Sequence, residues 1–212
     1  MVNLIIALIV IIFFIVALKI FKLPSAEKVL EKANSNFEKE AVEVKVLSSF
    51  TKEEQKDLRI YAFVRCLLET AMVDGNFHPG QTSAVAQFSE LEQKKLSEPY
   101  HLESKLGKFI WEKKKHIDKA TMAKIENGEL PNFKSYDRNN LISVIKTNTK
   151  SGLENLFEKI IITSIADGSS TSKEVKHIAN LYADIYNLSY KEGLVMYKVA
   201  FKALKDNAKK DN

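Results

Sequence analysis

The residues with the most chemical promise are two Asp-Gly pairs, Asp74-Gly75 and Asp167-Gly168, and a carboxylate downstream of the second, Glu174. Carboxylate oxygens are hard ligands. The same residues also have a purely structural reading. Gly75 and Gly168 would supply the left-handed backbone that ends a helix, the two aspartates would accept hydrogen bonds from turn amides, and Glu174 would close a capping box opened by Thr171. Gln81 can make the equivalent bond in the first copy, with Pro79 at the first helical position. No Asp-x-Asp/Asn ligand series precedes either glycine, so neither loop is an EF-hand.

Other chemistry is thinner. Glu174 and His177 have the spacing of half a di-iron carboxylate site, but the corresponding positions of the first copy are Gln81 and Ala84, and His177 reads as a solvent-edge histidine. Cys66, the only cysteine, sits beside Leu67 and Leu68 with no base in view; it reads as a small core residue. One cysteine also excludes a disulfide framework and a cysteine-based zinc site. There is no G-x-S-x-G, P-loop or dinucleotide fingerprint, so neither an enzyme nor a small-molecule substrate is expected. A basic stretch includes Lys108, Lys113, Lys114 and Lys115. These lysines read either as the solvated outside of a packed helix or as a surface for anionic lipid or an acidic partner. The net charge of +5 is spread along the chain and does not call for nucleic acid.

These residues must be positioned by helices. Seven Gly and four Pro among 212 residues are too few for a turn-rich β fold, and no stretch sustains a period of two. Ser/Thr-x-x-Glu capping boxes mark helix starts at Thr51, Ser151, Thr171 and Ser189. Further helices are predicted near 80–95, 101–127 and 137–149, and Ser25 begins one running to about residue 46. The fold class is all-α.

Sliding the chain by 93 residues reveals a repeat: Ile60 falls on Leu153, Phe63 on Leu156, Val64 on Phe157, Leu67 on Ile160, Leu68 on Ile161 and Asp74 on Asp167. Val85 then falls on Ile178 and Phe88 on Leu181. Each copy, 58–95 and 151–188, is an apolar helix, an Asp-Gly turn and a second amphipathic helix. Two such hairpins can bury their apolar faces on each other in a pseudo-symmetric bundle.

The segments around Ala71-Met72-Val73-Asp74-Gly75 and Ser164-Ile165-Ala166-Asp167-Gly168, the second ending in Glu174 and followed by Asn187-Leu188-Ser189, resemble the signature of TerB-like (tellurite-resistance protein B) helical domains. The resemblance covers roughly residues 51–205. It implies a bundle of about seven helices, an acidic patch of Asp74, Asp167 and Glu174 that would hold a divalent cation such as Ca²⁺ or Zn²⁺, and a role in a bacterial membrane-associated stress-response or phage-defence system. The first copy departs from the pattern, with Gln81 in place of Glu and His78-Pro79 before it. His78-Pro79-Gly80 lacks the Asp of the J-domain tripeptide, so no J-domain is present.

The N-terminus carries the strongest physical signal. Residues 4–18 are unbroken apolar, including Leu4, Ile11, Phe14 and Leu18, and the run continues past Lys19 and Lys22. Some 20 such residues span the roughly 30 Å hydrocarbon core of a bilayer. The flanking cations lie on the C-terminal side, which predicts an outside N-terminus and a cytoplasmic body; the family resemblance implies that the membrane is a bacterial inner membrane. The expected organisation is a transmembrane anchor (1–23), a juxtamembrane helical stalk (24–50), a helical domain (51–207) and a tail (208–212). Its partners would be membrane lipid through the anchor and a second membrane-associated protein.

Overall fold

The computed structural model describes residues 23–41, 47–75, 78–95 and 138–209. These form seven helices and no strand: α1 (Ala26–Ala41), α2 (Lys52–Met72), α3 (Pro79–Gln93), α4 (Arg138–Lys146), α5 (Lys150–Ile165), α6 (Ser172–Ile185) and α7 (Tyr190–Ala208). The all-α expectation holds for them. The apolar segment and the basic stretch, with Lys19, Lys22, Lys108, Lys113, Lys114, Lys115 and the helix expected at 101–127, lie outside the described residues. Among the described residues no helix is long and apolar enough to cross a membrane.

Helix α2 is the axis of the body. Thr51 caps it reciprocally with Glu54: the Glu54 amide donates to Thr51 Oγ1 at 3.2 Å and the Thr51 amide to Glu54 Oε2 at 2.8 Å. Its residues Tyr61, Ala62, Phe63 and Val64, then Cys66, Leu67 and Leu68, are buried almost without interruption, so the helix is enclosed on all sides by its neighbours. The repeat positions on α5 (Leu153, Leu156, Phe157, Ile160, Ile161) are equally buried and belong to the same core. Each such side chain contributes about 1.5–3 kcal/mol relative to exposure. Helix α6 adds Ile178, Leu181 and Ile185, and its Tyr182 ring stacks on Phe157 with centroids 3.5 Å apart.

Turn chemistry follows the sequence closely. Gly75 and Gly168 have φ of 94° and 113°, the left-handed values predicted for them. Thr171 with Glu174 and Ser189 with Glu192 form the expected capping boxes. The Ser151 box is a correction. Helix α5 is capped by Thr149, whose Oγ1 accepts from the Gly152 amide at 3.1 Å, and Ser151 lies inside the first turn with its hydroxyl 3.1 Å from that of Thr149.

The segment expected to be a juxtamembrane helical stalk forms the first helix, α1, which docks on the body. Val29 and Ala33 on α1 are 1% exposed, because the helix is packed on the rest of the chain. Asn36 Nδ2 donates to the carbonyls of Tyr186 and Asn187 at 2.9 and 3.0 Å, and Lys32 Nζ reaches Glu192 at 2.8 Å. Those carbonyls belong to the α6–α7 corner, where Asn187 takes a left-handed φ of 49° and the Leu188 amide bonds back to Ala183 O at 2.8 Å. Among the charged residues of this helix, Lys32 therefore helps to dock it on the body.

Candidate functional site: the junction of the two Asp-Gly loops

The two Asp-Gly loops meet. Lys173 Nζ, one residue before Glu174, donates to the Asp74 carbonyl at 3.1 Å. His78 Nε2, before α3, lies 3.6 Å from Asp167 Oδ2. Gly80 packs its α-carbon directly against the Ala166 carbonyl, where any added Cβ would overlap backbone. The first turn of α3 thus sits on the second Asp-Gly loop, and the first turn of α6 reaches the first.

At the centre of this junction, Gln81 and Glu174, the two residues that the 93-residue offset superposes, bond to each other. Gln81 Nε2 donates to Glu174 Oε1 at 2.6 Å, and both side chains are 0% exposed. The other carboxylate oxygen, Oε2, accepts from the Thr171 amide at 2.6 Å, while the Glu174 amide donates to Thr171 Oγ1. Gln81 Oε1 in turn accepts a long bond of 3.4 Å from the His78 amide, as its place in the first turn after Pro79 predicts. Burial pushes the Glu174 carboxyl above the usual range; the Thr171 hydrogen bonds oppose this, and the nearby carboxylates of Asp74 and Asp167 reinforce it.

The three predicted acidic residues are therefore neighbours, but they are not arranged as a ligand set. Both Glu174 oxygens are held by protein N–H groups, and Asp167 Oδ1 accepts from the Ser169 amide in its own turn at 3.4 Å. Among the described residues no three His, Cys, Asp or Glu side chains lie close enough together to hold a metal ion. The arrangement acts as a polar lock between two hairpins. A Ca²⁺ or Zn²⁺ ion bound there would have to displace the bonds that form it.

His177 is half-buried on α6. Its Nε2 is buried and has no hydrogen-bond partner among the described residues. Burial brings its pKa down to about 4, helped by Arg138 and Arg65 and opposed by Asp184, so the ring is neutral at pH 7. Cys66 is a core residue, 0% exposed, and burial pushes its thiol far up.

Sequence reasoning missed Arg65. It is 1% exposed inside the buried middle of α2, with Nε 2.6 Å from Glu69 Oε1. The i, i+4 spacing of Arg65 and Glu69 within the apolar run Ile60–Met72 is the signal that could have found the pair. It also missed Gln81–Glu174 and the close backbone approaches at Gly80 and Gly193, the latter against the Ala179 carbonyl. Comparisons with family profiles, with curated proteins and with solved structures return no match.

Proposed function

We propose that the protein is a membrane-anchored, non-enzymatic binding module, a TerB-like helical domain that serves a bacterial stress-response or phage-defence assembly from the cytoplasmic face of the inner membrane. The observation that carries this reading is the docking of α1. Only Pro24 and Ser25 separate the anchor segment (1–23) from a helix fixed to the body by Lys32, Asn36 and the buried Val29 and Ala33. A free stalk would let the body sample many orientations. A docked helix transmits the direction of the anchor to the body, so one face is held toward the bilayer and another is offered to partners that share it. Confinement to two dimensions raises the effective concentration of such partners, and a modest interface is then occupied.

The polar lock suits this role. Two helical hairpins joined through a buried hydrogen-bonded pair form a rigid platform, with no convergent set of nucleophile, base and oxyanion donors to suggest catalysis among the described residues. The test is in-cell crosslinking with the full chain against a chain lacking residues 1–23. The reading predicts one dominant membrane-associated partner that disappears with the anchor. Equal crosslinking by both chains, or none by either, would contradict it.

A further inference from the structure

The C-terminal half of α7 carries a row of lysines. Lys198, Lys202, Lys205 and the C-cap Lys209 follow one another at helical spacing, which places all four within about 60° of arc on one side of the helix. All four are exposed, and none is paired with a carboxylate among the described residues. Asp206 is the one carboxylate in this half of the helix. A helix C-terminus favours cations, which accounts for Lys205 and Lys209, but Lys198 and Lys202 stand upstream of the last turn, where that effect has faded. The turns that bear the lysines are held by the body. Phe201 and Leu204 pack against the core, and the Tyr197 and Phe201 rings stack with centroids 5.8 Å apart.

The place of this row in the body decides what it faces. Helices α1 and α7 pack side by side and run antiparallel: Asn36 reaches the Tyr186 and Asn187 carbonyls just ahead of α7, and Lys32, one turn earlier on α1, reaches Glu192 in the first turn of α7. Each step back along α1 is thus a step forward along α7, and Pro24 and Ser25 come level with the middle of α7, near Val199 and Ala200. From there α7 runs on for about 12 Å, at 1.5 Å per residue. The lysine row therefore stands at the end of the body where the chain joins the apolar N-terminal segment. The other elements arriving there carry mixed charge: Glu27 with Lys28 on α1, and Asp167 with Lys173 about the loop that Tyr197 reaches by donating to Ser170 Oγ at 3.4 Å. The excess of positive charge at this end belongs to α7.

We infer that the lysine face of α7 seats on anionic lipid headgroups of the leaflet from which the anchor emerges. The inference rests on the anchored reading of residues 1–23, which puts a negatively charged cytoplasmic leaflet at this end of the body, and it adds a second point of attachment that fixes how the body is turned about the anchor. A lysine close to such a surface strengthens attachment about fivefold, and its flexible stem lets the ammonium reach headgroup oxygens while the helix stays folded.

The test is lysine acetylation, read by mass spectrometry, on the full chain in vesicles of phosphatidylcholine alone or mixed two to one with phosphatidylglycerol; neither lipid carries a primary amine. Lys52 and Lys150, exposed at the starts of α2 and α5 and so at the opposite end of the body, serve as internal references. Relative to them, Lys198, Lys202, Lys205 and Lys209 should react about fivefold more slowly when phosphatidylglycerol is present, and high salt should remove the protection. The double variant Lys202→Gln with Lys205→Gln should strip protection from Lys198 and Lys209 too; if circular dichroism shows it misfolded, the wild-type footprint decides alone. Equal acetylation in both compositions, by a chain that alkaline extraction leaves in the vesicles, would overturn the inference while the anchor stands. If alkali releases the chain, the anchored reading fails, and flotation decides the lysine face by itself: binding to mixed but not to pure phosphatidylcholine vesicles supports it, and binding to neither overturns it. Protection by duplex DNA in place of phosphatidylglycerol would also overturn it.

Discussion

Replacing Gln81 by Met removes one amide from the centre of the hairpin junction while keeping its volume, and the structure fixes what should follow. Glu174 Oε1 loses its 2.6 Å donor in a place where both side chains are 0% exposed, so water cannot replace the bond without opening the packing. A hydrogen bond to a charged group is worth about 1.5–3 kcal/mol, and loss of about 2 kcal/mol lowers the melting temperature of a chain of this size by about 4–8 °C. The pH dependence separates this from a packing defect. Burial already holds the folded pKa of Glu174 above its unfolded value of 4.5. Losing a donor to the charged form raises the folded value further. The deficit is therefore full above the folded pKa, shrinks as pH falls through it and vanishes below the unfolded pKa. Denaturant unfolding of wild type and Gln81→Met at about pH 8 and about pH 4 reads the difference directly. A deficit equal at both values, or one below about 0.5 kcal/mol at the higher, would refute the claim that this pair locks the hairpins.

Thr149→Ala should cost about 1 kcal/mol as a lost cap while Ser151→Ala stays within about 0.5 kcal/mol; parallel urea titrations distinguish the two. Gly193→Ala should destabilise by about 1–3 kcal/mol, because its new methyl would overlap the Ala179 carbonyl where α7 crosses α6; Gly80→Ala should do likewise at Ala166, and the shift in urea midpoint reads both. The Lys32 hydrogen bond holds the Glu192 pKa below the usual range, so its stabilisation is present above the unfolded pKa and is lost as pH falls through the depressed folded value. The melting difference between wild type and Glu192→Gln should accordingly hold steady above about pH 5 and fade in more acidic buffer.

What the sequence discloses about this chain is mostly what its residues decide locally. Thr51-x-x-Glu54, Thr171-x-x-Glu174 and Ser189-x-x-Glu192 start helices because both partners of each capping box lie within one turn. Ser151-x-x-Glu154 satisfies the same pattern and fails, because Thr149 offers a competing hydroxyl just upstream and the turn fixed by Asn148 delivers the chain to it. The repeat is legible from apolar spacing, and the cores of α2 and α5 agree with it. The meeting of Gln81 with Glu174 is not legible, since it depends on how the two hairpins face each other rather than on either one. The same limit hid the docking of α1. Its mixed charges look solvated one by one, and only the α6–α7 corner, with two outward carbonyls and Glu192, gives Asn36 and Lys32 their partners.

The anchored topology is tested most directly by proteolysis of membrane vesicles carrying the full chain, after alkaline extraction has removed peripheral proteins. The account predicts that the chain stays with the membrane, that protease degrades the helical body in inverted vesicles, and that the body survives intact in right-side-out vesicles. Release of the chain by alkali, or digestion of the body from the outer face, would contradict it.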